Sequence, residues 1–303
     1  MLVLGTDQLR VTLIDPEADR ARLGPRYCAG GYIWQVRDQD GRELLTGPEG
    51  PAPEPSPFNG HGLPEAFRER TRDGRLLTWS DGTGVAIGAG LVQFDPAREV
   101  RLVEPCPWSI TRTEERLTFR TEHGAGDRAY ALDRVIELKG RDLLSLTSLT
   151  NTGRTPLATQ WFAHPFFPIH PATPHLATLP FASRLPENPG LRLTAGQLSL
   201  RRRFAGRDDG QFALLELPAE PCLTVFAAHP ACGEIRLTTT FAPSECPVWA
   251  NGYTWSIEPY QAIDLQPGQT RRWALHYSFG TADRASAANS GIGPGPSARD
   301  PLD

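Results

Sequence analysis

The chain has 303 residues, a net charge of −4 and a pI of about 6.0, a balance that offers no electrostatic attraction to nucleic acid or to an anionic membrane. With 29 glycines and 29 prolines, turns are dense and long helices scarce. The first residues, MLVLGTDQLRVTL, have neither a basic leader nor a sustained apolar run, and nowhere does the chain reach the ~18 apolar residues of a membrane helix. A soluble, cytoplasmic protein is expected. Cys28, Cys106, Cys222, Cys232 and Cys246 are odd in number and form no CxxC pair, so reduced thiols are expected rather than a disulfide framework or a zinc site.

Taken in order, residues 7–15 read as a first strand. Gly30–Arg37 and Glu43–Thr46 flank an Asp-Gln-Asp-Gly turn and read as a hairpin. Gly47–Pro57 holds five prolines and is expected to be loop, because proline cannot donate to a ladder. Leu63–Arg70, opened by Pro64, is the one tempting helix near the start. Short apolar runs follow at 76–79, 85–94 and 100–103, separated by Asp81-Gly82 and Asp95-Pro96 turns, and Arg116–Glu122 alternates as a strand should. Arg134–Leu138 and Leu143–Thr150 flank Lys139-Gly-Arg-Asp as another hairpin; Asn151-Thr-Gly153 then turns the chain into Thr155–Phe167.

Residues 168–190 are proline-rich and aperiodic, and are expected to form a long loop acting as a lid or wall over a site. Leu198–Phe204, Phe212–Leu217 and Leu223–His229 read as further strands. Trp255–Phe279 reads as two strands joined by a Gln-Pro267-Gly268-Gln turn, with Thr254, Ser256 and Glu258 on one face of the first and Trp255 and Ile257 on the other. Residues 281–303 have almost no large apolar side chain and are expected to be a disordered tail. No repeat and no linker divides residues 1–280, which are expected to be one large, mostly antiparallel all-β domain. Periodicity alone leaves barrel and two-sheet sandwich equally open; a propeller is disfavoured by the lack of a blade-length repeat.

Two polar positions stand out: Glu258, and His164 in Gln160-Trp-Phe-Ala-His164-Pro-Phe-Phe. A glutamate and a histidine suit general acid–base work, the one ionised at neutrality and the other titrating near it. Each also has an ordinary structural reading, as a solvated strand-end carboxylate and a packed histidine. His61, in Asn59-Gly-His-Gly62, is a third candidate. Metal ligation by this set lacks any HxH or HExxH spacing. Arg201-Arg202-Arg203 reads as a solvated strand edge. A flat indole matches the C–H face of a pyranose as well as it packs a core, and Trp249 is assigned to substrate on that basis.

Two segments carry a resemblance to a known family. Leu149-Thr-Asn151-Thr-Gly153-Arg-Thr-Pro156 followed by Ala163-His164-Pro165-Phe166-Phe167 resembles the "N-T-G … P … H-P-Y-F" segment of aldose 1-epimerases, the galactose mutarotase-like proteins. Ser256-Ile257-Glu258-Pro259 followed by Leu265-Gln-Pro267-Gly268-Gln-Thr resembles that superfamily's late "[IV]-E-[PT] … L-x-P-G-E-[ST]" segment. The resemblance implies a β-supersandwich with a carbohydrate cleft on the concave sheet face. It implies His164 as general acid, Glu258 as general base, and no cofactor or metal. It further implies a monosaccharide or sugar phosphate as ligand, with His61 among its contacts; the resemblance leaves the substrate arginine unassigned, and Arg68 is taken as a candidate substrate contact. The N-R-[IV] and Leu-His-Gly-Gly segments of galactose mutarotases proper are missing. Where hexose-6-phosphate mutarotase-like members carry an arginine after their His-Gly, this chain has Glu65. The expected activity is interconversion of sugar anomers. The alternatives on the same fold are a non-catalytic carbohydrate-binding protein and a sugar-active lyase or isomerase. The catalytic reading requires His164 and Glu258 to face each other across one open cleft with room for a pyranose between them; either of them buried against apolar side chains with no cleft would rule it out.

Overall fold

Alternation of side chains across the strands builds the largest sheet. In the computed structural model the described residues are 1–50, 55–68, 79–80, 82–94, 100–180 and 182–281. Arg128–Lys139 and Asp142–Asn151 form the expected hairpin, antiparallel along its whole length, with Lys139 opposite Asp142 and Tyr130 opposite Asn151. They lie inside a ten-stranded sheet that runs from Leu191–Thr194 through Gln197–Leu200, His175–Thr178, Thr224–His229, Gly233–Thr239, Thr270–Phe279, Asp142–Asn151, Arg128–Lys139 and Arg116–Ala125 to Ser109–Arg112. Trp273, Leu275, Tyr277 and Phe279 are all buried along one face of Thr270–Phe279, as its period of two requires.

Smaller antiparallel sheets complete the body. Glu65–Arg68, Leu157–Ala163 and Tyr260–Leu265 make one, with Leu157–Ala163 in the middle. Phe167–Pro168, Thr254–Ile257, Cys246–Asn251 and Gly210–Leu215 make another. Leu2–Gly5, Leu9–Leu13 and Ile33–Asp38 form a third; Trp79–Ser80, Thr83–Ala86, Gly90–Phe94 and Val100–Pro105 form a fourth. One apolar cluster draws on all five sheets, from Val11 and Val85 to Trp161, Leu237 and Val248. Among the described residues the only helical element is a 3₁₀ turn at Arg20–Arg22, and no helix is long and apolar enough to cross a membrane.

Three expectations change. Glu65–Arg68 is a strand, not part of a helix: it pairs with Leu157–Ala163 from Glu65 opposite Ala163 to Arg68 opposite Gln160. Tertiary pairing overrides the local helix signal because the partner strand satisfies the backbone groups and a buried cation claims Glu65, as described below. Residues 168–190 are not one long loop. His175–Thr178 enters the ten-stranded sheet between Gln197–Leu200 and Thr224–His229, and at four residues it is too short for periodicity to show. The Trp255–Phe279 segment holds three strands, not two: Pro259 ends the first, and Tyr260–Leu265 joins a different sheet. The turn after Leu265 is as expected, with Gly268 at φ +80°. The 76–78 run, the turns at Asp81 and Asp95-Pro96, and residues 282–303 lie outside the described residues.

The Asn151-Thr-Gly153 turn is a clasp. The Asn151 side-chain amide donates to the carbonyls of Thr155 (2.9 Å) and Leu265 (2.8 Å) and accepts from the Gly153 N–H at 3.0 Å. A Cβ on Gly153 would lie 2.5 Å from the Asp127 carbonyl oxygen, so only glycine lets the two backbones approach.

His229 ties the end of Thr224–His229 to the Leu44 segment in a way that depends on its protonation. Its Nε2 lies 2.9 Å from the Leu44 carbonyl, and its Nδ1 accepts the Ala231 and Cys232 N–H groups, each at 3.1 Å. This pattern admits only the neutral Nε2–H tautomer. Burial holds the His229 pKa down at about 4, against about 6.5 when unfolded. Between those values the unfolded chain binds the proton more tightly, so stability is complete above about pH 6.5 and falls as pH drops toward 4. That gap corresponds to a loss of roughly 3 kcal/mol. Urea denaturation between pH 7 and 4.5 is expected to show this slope, reduced by about one proton in His229→Gln; an unchanged slope in the variant would count against it.

Candidate active site

Proline places both candidate catalytic side chains. Leu157–Ala163 ends one residue before the His164-Pro165 bond, and Thr254–Ile257 ends one residue before Glu258-Pro259. A residue before proline is confined to extended conformations, and the proline cannot continue a ladder. Each side chain therefore stands at a strand end with its backbone still held: the His164 N–H donates to the Pro64 carbonyl at 2.9 Å, and the Glu258 N–H to the Pro247 carbonyl at 2.8 Å. Ser256 and Glu258, two residues apart, project from one face toward His164, while Trp255 and Ile257 are buried in the core on the other.

The Nε2 of His164 lies 3.4 Å from Oε1 of Glu258, and its Nδ1 lies 3.1 Å from the Ser256 hydroxyl. A lone pair on Nε2 would oppose a carboxylate oxygen, so the proton belongs on Nε2, and Ser256 donates to Nδ1. Both side chains are buried, with 7% of the His164 side chain and 8% of the Glu258 side chain exposed. The imidazole is packed against Phe166 (centroids 4.5 Å) and meets the rings of Tyr27 and Trp249 edge-on at 6.3 and 6.4 Å. Burial pushes the His164 pKa well below the ordinary imidazole value, and the nearby Arg26 charge lowers it further. Burial raises the Tyr27 phenol and the Cys246 thiol, and the Glu258 carboxylate adds to both shifts.

His164 and Glu258 both line a cavity of about 1090 Å³, large enough for a monosaccharide. Arg68 and Trp249 line it too. His61 does not: its ring stacks 4.9 Å from Trp34, its Nε2 is 3.3 Å from the Gln35 amide nitrogen, and burial lowers its pKa to about 4. None of the described residues of the 168–190 segment lines the cavity, so the lid or wall expected there is not found among them. The wall comes instead from Gly24–Arg26 and from the ends of the proline-rich segment, Pro48 and Ser56–Asn59. The arginine run lies elsewhere, with exposed Arg202 gripping Asp209 through two bonds of 2.7 and 2.6 Å.

Sequence reading missed Arg26, Tyr27, Phe162, Phe166 and Tyr260. The Phe162 and Tyr260 rings stack at 4.5 Å with an angle of 2° between their planes, Phe166 floors the histidine, and Arg26 lies over Tyr27. Phe166 and Tyr260 were within reach, being two residues beyond His164 and Glu258 on the same faces. Nothing local marks Arg26.

No known family model matches the chain, and no curated protein matches it in sequence. Solved structures do match in fold. A galactose mutarotase related enzyme from Lactobacillus acidophilus superimposes with a TM-score of 0.60 at 13% identity, over 93% of this chain and 97% of that one. A protein from Synechocystis gives 0.57 at 15%, over 92% and 95%. A galactose mutarotase-like protein from Lactobacillus casei gives 0.54 at 14%, over 92% and 99%. The chain has the galactose mutarotase-like β-sandwich fold, all-β and antiparallel as the two sequence segments implied. At these identities the likeness defines the fold, while activity has to be argued from the site.

Proposed function

We propose that residues 1–280 form a sugar-binding domain that interconverts the anomers of an aldose, with Glu258 as general base and His164 as general acid. The observation that carries this reading is the 3.4 Å approach of His164 Nε2 to Glu258 Oε1 where both line one cavity. The anomeric hydroxyl and the ring oxygen are bonded to the same carbon, and two such oxygens are closer together than these two protein atoms. A pyranose therefore sits over the pair, not between its members, and presents one oxygen to each. Glu258 takes the proton of the anomeric hydroxyl as His164 delivers one to the ring oxygen, so neither oxygen carries a full charge. The C1–O5 bond breaks, the aldehyde turns about C1–C2, and closure on its other face returns both protons and inverts the anomer. The Trp249 and Tyr260 rings supply apolar faces for the sugar's C–H surface.

NMR exchange between anomer signals, measured on a panel of aldoses with and without protein, tests the proposal; exchange no faster than in buffer for every sugar would refute it. The depressed His164 pKa favours a second reading, since a neutral imidazole is a good hydrogen-bond partner but a poor acid. On that reading the protein binds a sugar without turning it over, and calorimetry shows binding while NMR shows no accelerated exchange.

A further inference from the structure

One wall of the cavity is a turn held by a single carboxylate. Ser56, Pro57, Phe58 and Asn59 all line the cavity. The turn closes on itself through the Asn59 and Gly60 N–H groups, which donate to the Ser56 carbonyl at 3.1 and 3.0 Å. Its largest side chain, Phe58, is 64% exposed and adds little burial to fix it. Glu49 fixes it instead. Its Oε2 accepts the Ser56 N–H and its Oε1 the Asn59 side-chain amide, each at 2.6 Å, and Arg207 stands 3.5 Å from Oε1. The Glu49 side chain is 12% exposed. Burial opposes its ionisation, but the Ser56 and Asn59 bonds and the Arg207 charge outweigh burial and hold its carboxyl below the usual glutamate range. The anchor is therefore ionised at neutral pH and its bonds are charge-assisted.

The same turn reaches the groups proposed to react. The Phe58 carbonyl accepts a bond from Arg26 Nη1 at 3.0 Å, and the Asn59 carbonyl accepts the Tyr27 hydroxyl at 3.1 Å. The Tyr27 ring meets the His164 imidazole edge-on, with centroids 6.3 Å apart. The turn also packs closely on Tyr27: Gly60 holds φ +76°, and a Cβ there would lie 2.7 Å from the Tyr27 ring. A displacement of the turn is thus passed to Tyr27, and from Tyr27 to His164, through packed contacts.

We propose that Glu49 is a positioning residue: by holding Ser56 and Asn59 it sets the cavity wall that a sugar meets and, through Asn59 and Tyr27, the seat of His164. The half concerning the sugar rests on the acid–base reading; the half concerning His164 stands on the hydrogen bonds and ring packing. Both oxygens of the carboxylate face donors. Glutamine in its place must turn an NH2 group toward a donor, so one of the two bonds is lost. Exchanging the two groups, Glu49→Gln with Asn59→Asp, rebuilds both. The glutamine oxygen accepts the Ser56 N–H, its amide donates to the aspartate, and the net charge is unchanged.

The Cε1–H NMR signal of the His164 imidazole, assigned by its loss in His164→Gln, is read first and without sugar. Glu49→Gln is expected to shift it, and the double exchange to return it. A signal that Glu49→Gln leaves in place, or that the exchange fails to return, overturns the proposal whatever the protein does to sugars. Anomer exchange of the aldose turned over fastest is read second. Its kcat/KM is expected to fall about tenfold or more in Glu49→Gln and to recover to within about threefold of the parent in the double exchange, because small misplacements at a reacting group are costly. A loss of Tm with kcat/KM unchanged in the folded variant would make Glu49 a structural anchor alone and overturn the sugar half. If no aldose is turned over, a His164 signal that shifts and returns upholds the positioning while the acid–base reading fails.

Discussion

Glu258→Gln is expected to slow anomer exchange by about 10²–10⁴-fold, the usual contribution of a positioned base. Glutamine has nearly the shape of glutamate, so the packing around Ser256, Pro259 and His164 is retained. What it lacks is a basic oxygen: the amide accepts a hydrogen bond but not a proton. The anomeric hydroxyl can still dock yet cannot be deprotonated, and the fall should appear in kcat with KM little changed. Urea denaturation of the variant at neutral pH should show no loss of stability, because a buried carboxylate has been exchanged for a neutral isostere. An exchange rate equal to that of the parent would remove Glu258 from the chemistry and leave the 3.4 Å contact with His164 as a structural bond.

Arg134→Met is expected to have the largest effect on stability. Arg134 is 1% exposed, in the strand Arg128–Lys139, and its guanidinium makes a two-pronged ion pair with Glu65. The surrounding shell is polar and nearly complete. Ser145 bonds both partners, at 3.0 Å from Arg134 and 2.7 Å from Glu65; Thr147 lies 2.9 Å from Arg134, and the Trp161 indole N–H donates to Glu65 at 3.0 Å. Removing the cation leaves a buried carboxylate without its counter-charge, which costs ~3–5 kcal/mol. Against a total stability of roughly 5–15 kcal/mol that is a large share, and a fall in Tm on the order of 10 °C is expected.

The double substitution Arg134→Met, Glu65→Met removes both charges, and it is expected to recover much of the loss because a buried ion pair stabilises little over an apolar pair of similar size. Thermal and urea unfolding of the three proteins checks both statements; a single-variant loss below ~1 kcal/mol would show that the pair is not desolvated as its burial indicates. The pair also bears on the site. Glu65 begins the strand that carries Ala66, Phe67 and Arg68 into the cavity wall, so the single variant is expected to weaken sugar binding as well as stability.

Much of this was legible along the chain. Strand periodicity put Trp273, Leu275, Tyr277 and Phe279 on one face and Ser256 and Glu258 on another, and both assignments hold in the fold. Alternation failed where both registers were apolar. In Asp142–Asn151 the inward set is Leu143, Ser145, Thr147, Leu149 and Asn151, with Leu144 and Leu146 facing the other way. Two hydroxyls turn inward because Arg134 and Glu65 need them, a demand set from strands distant in sequence. The helix expected over Leu63–Arg70 failed for the same reason, since Glu65 looked like an ordinary charge at a helix start until its partner 69 residues away was in place.

The sequence by itself determined the all-β class and the two X-Pro strand ends at His164 and Glu258, because side-chain alternation and proline stereochemistry act over a few residues; the pairing of these two residues was implied by the family resemblance, not by periodicity. Only the tertiary structure decided that these two meet at 3.4 Å, 94 positions apart in the chain, that Ser256 holds the imidazole tautomer, and that Arg26 rather than His61 stands at the cavity. Those outcomes depend on which strands become neighbours. That pairing is settled by burial and charge satisfaction over the whole core, which no short window of sequence contains.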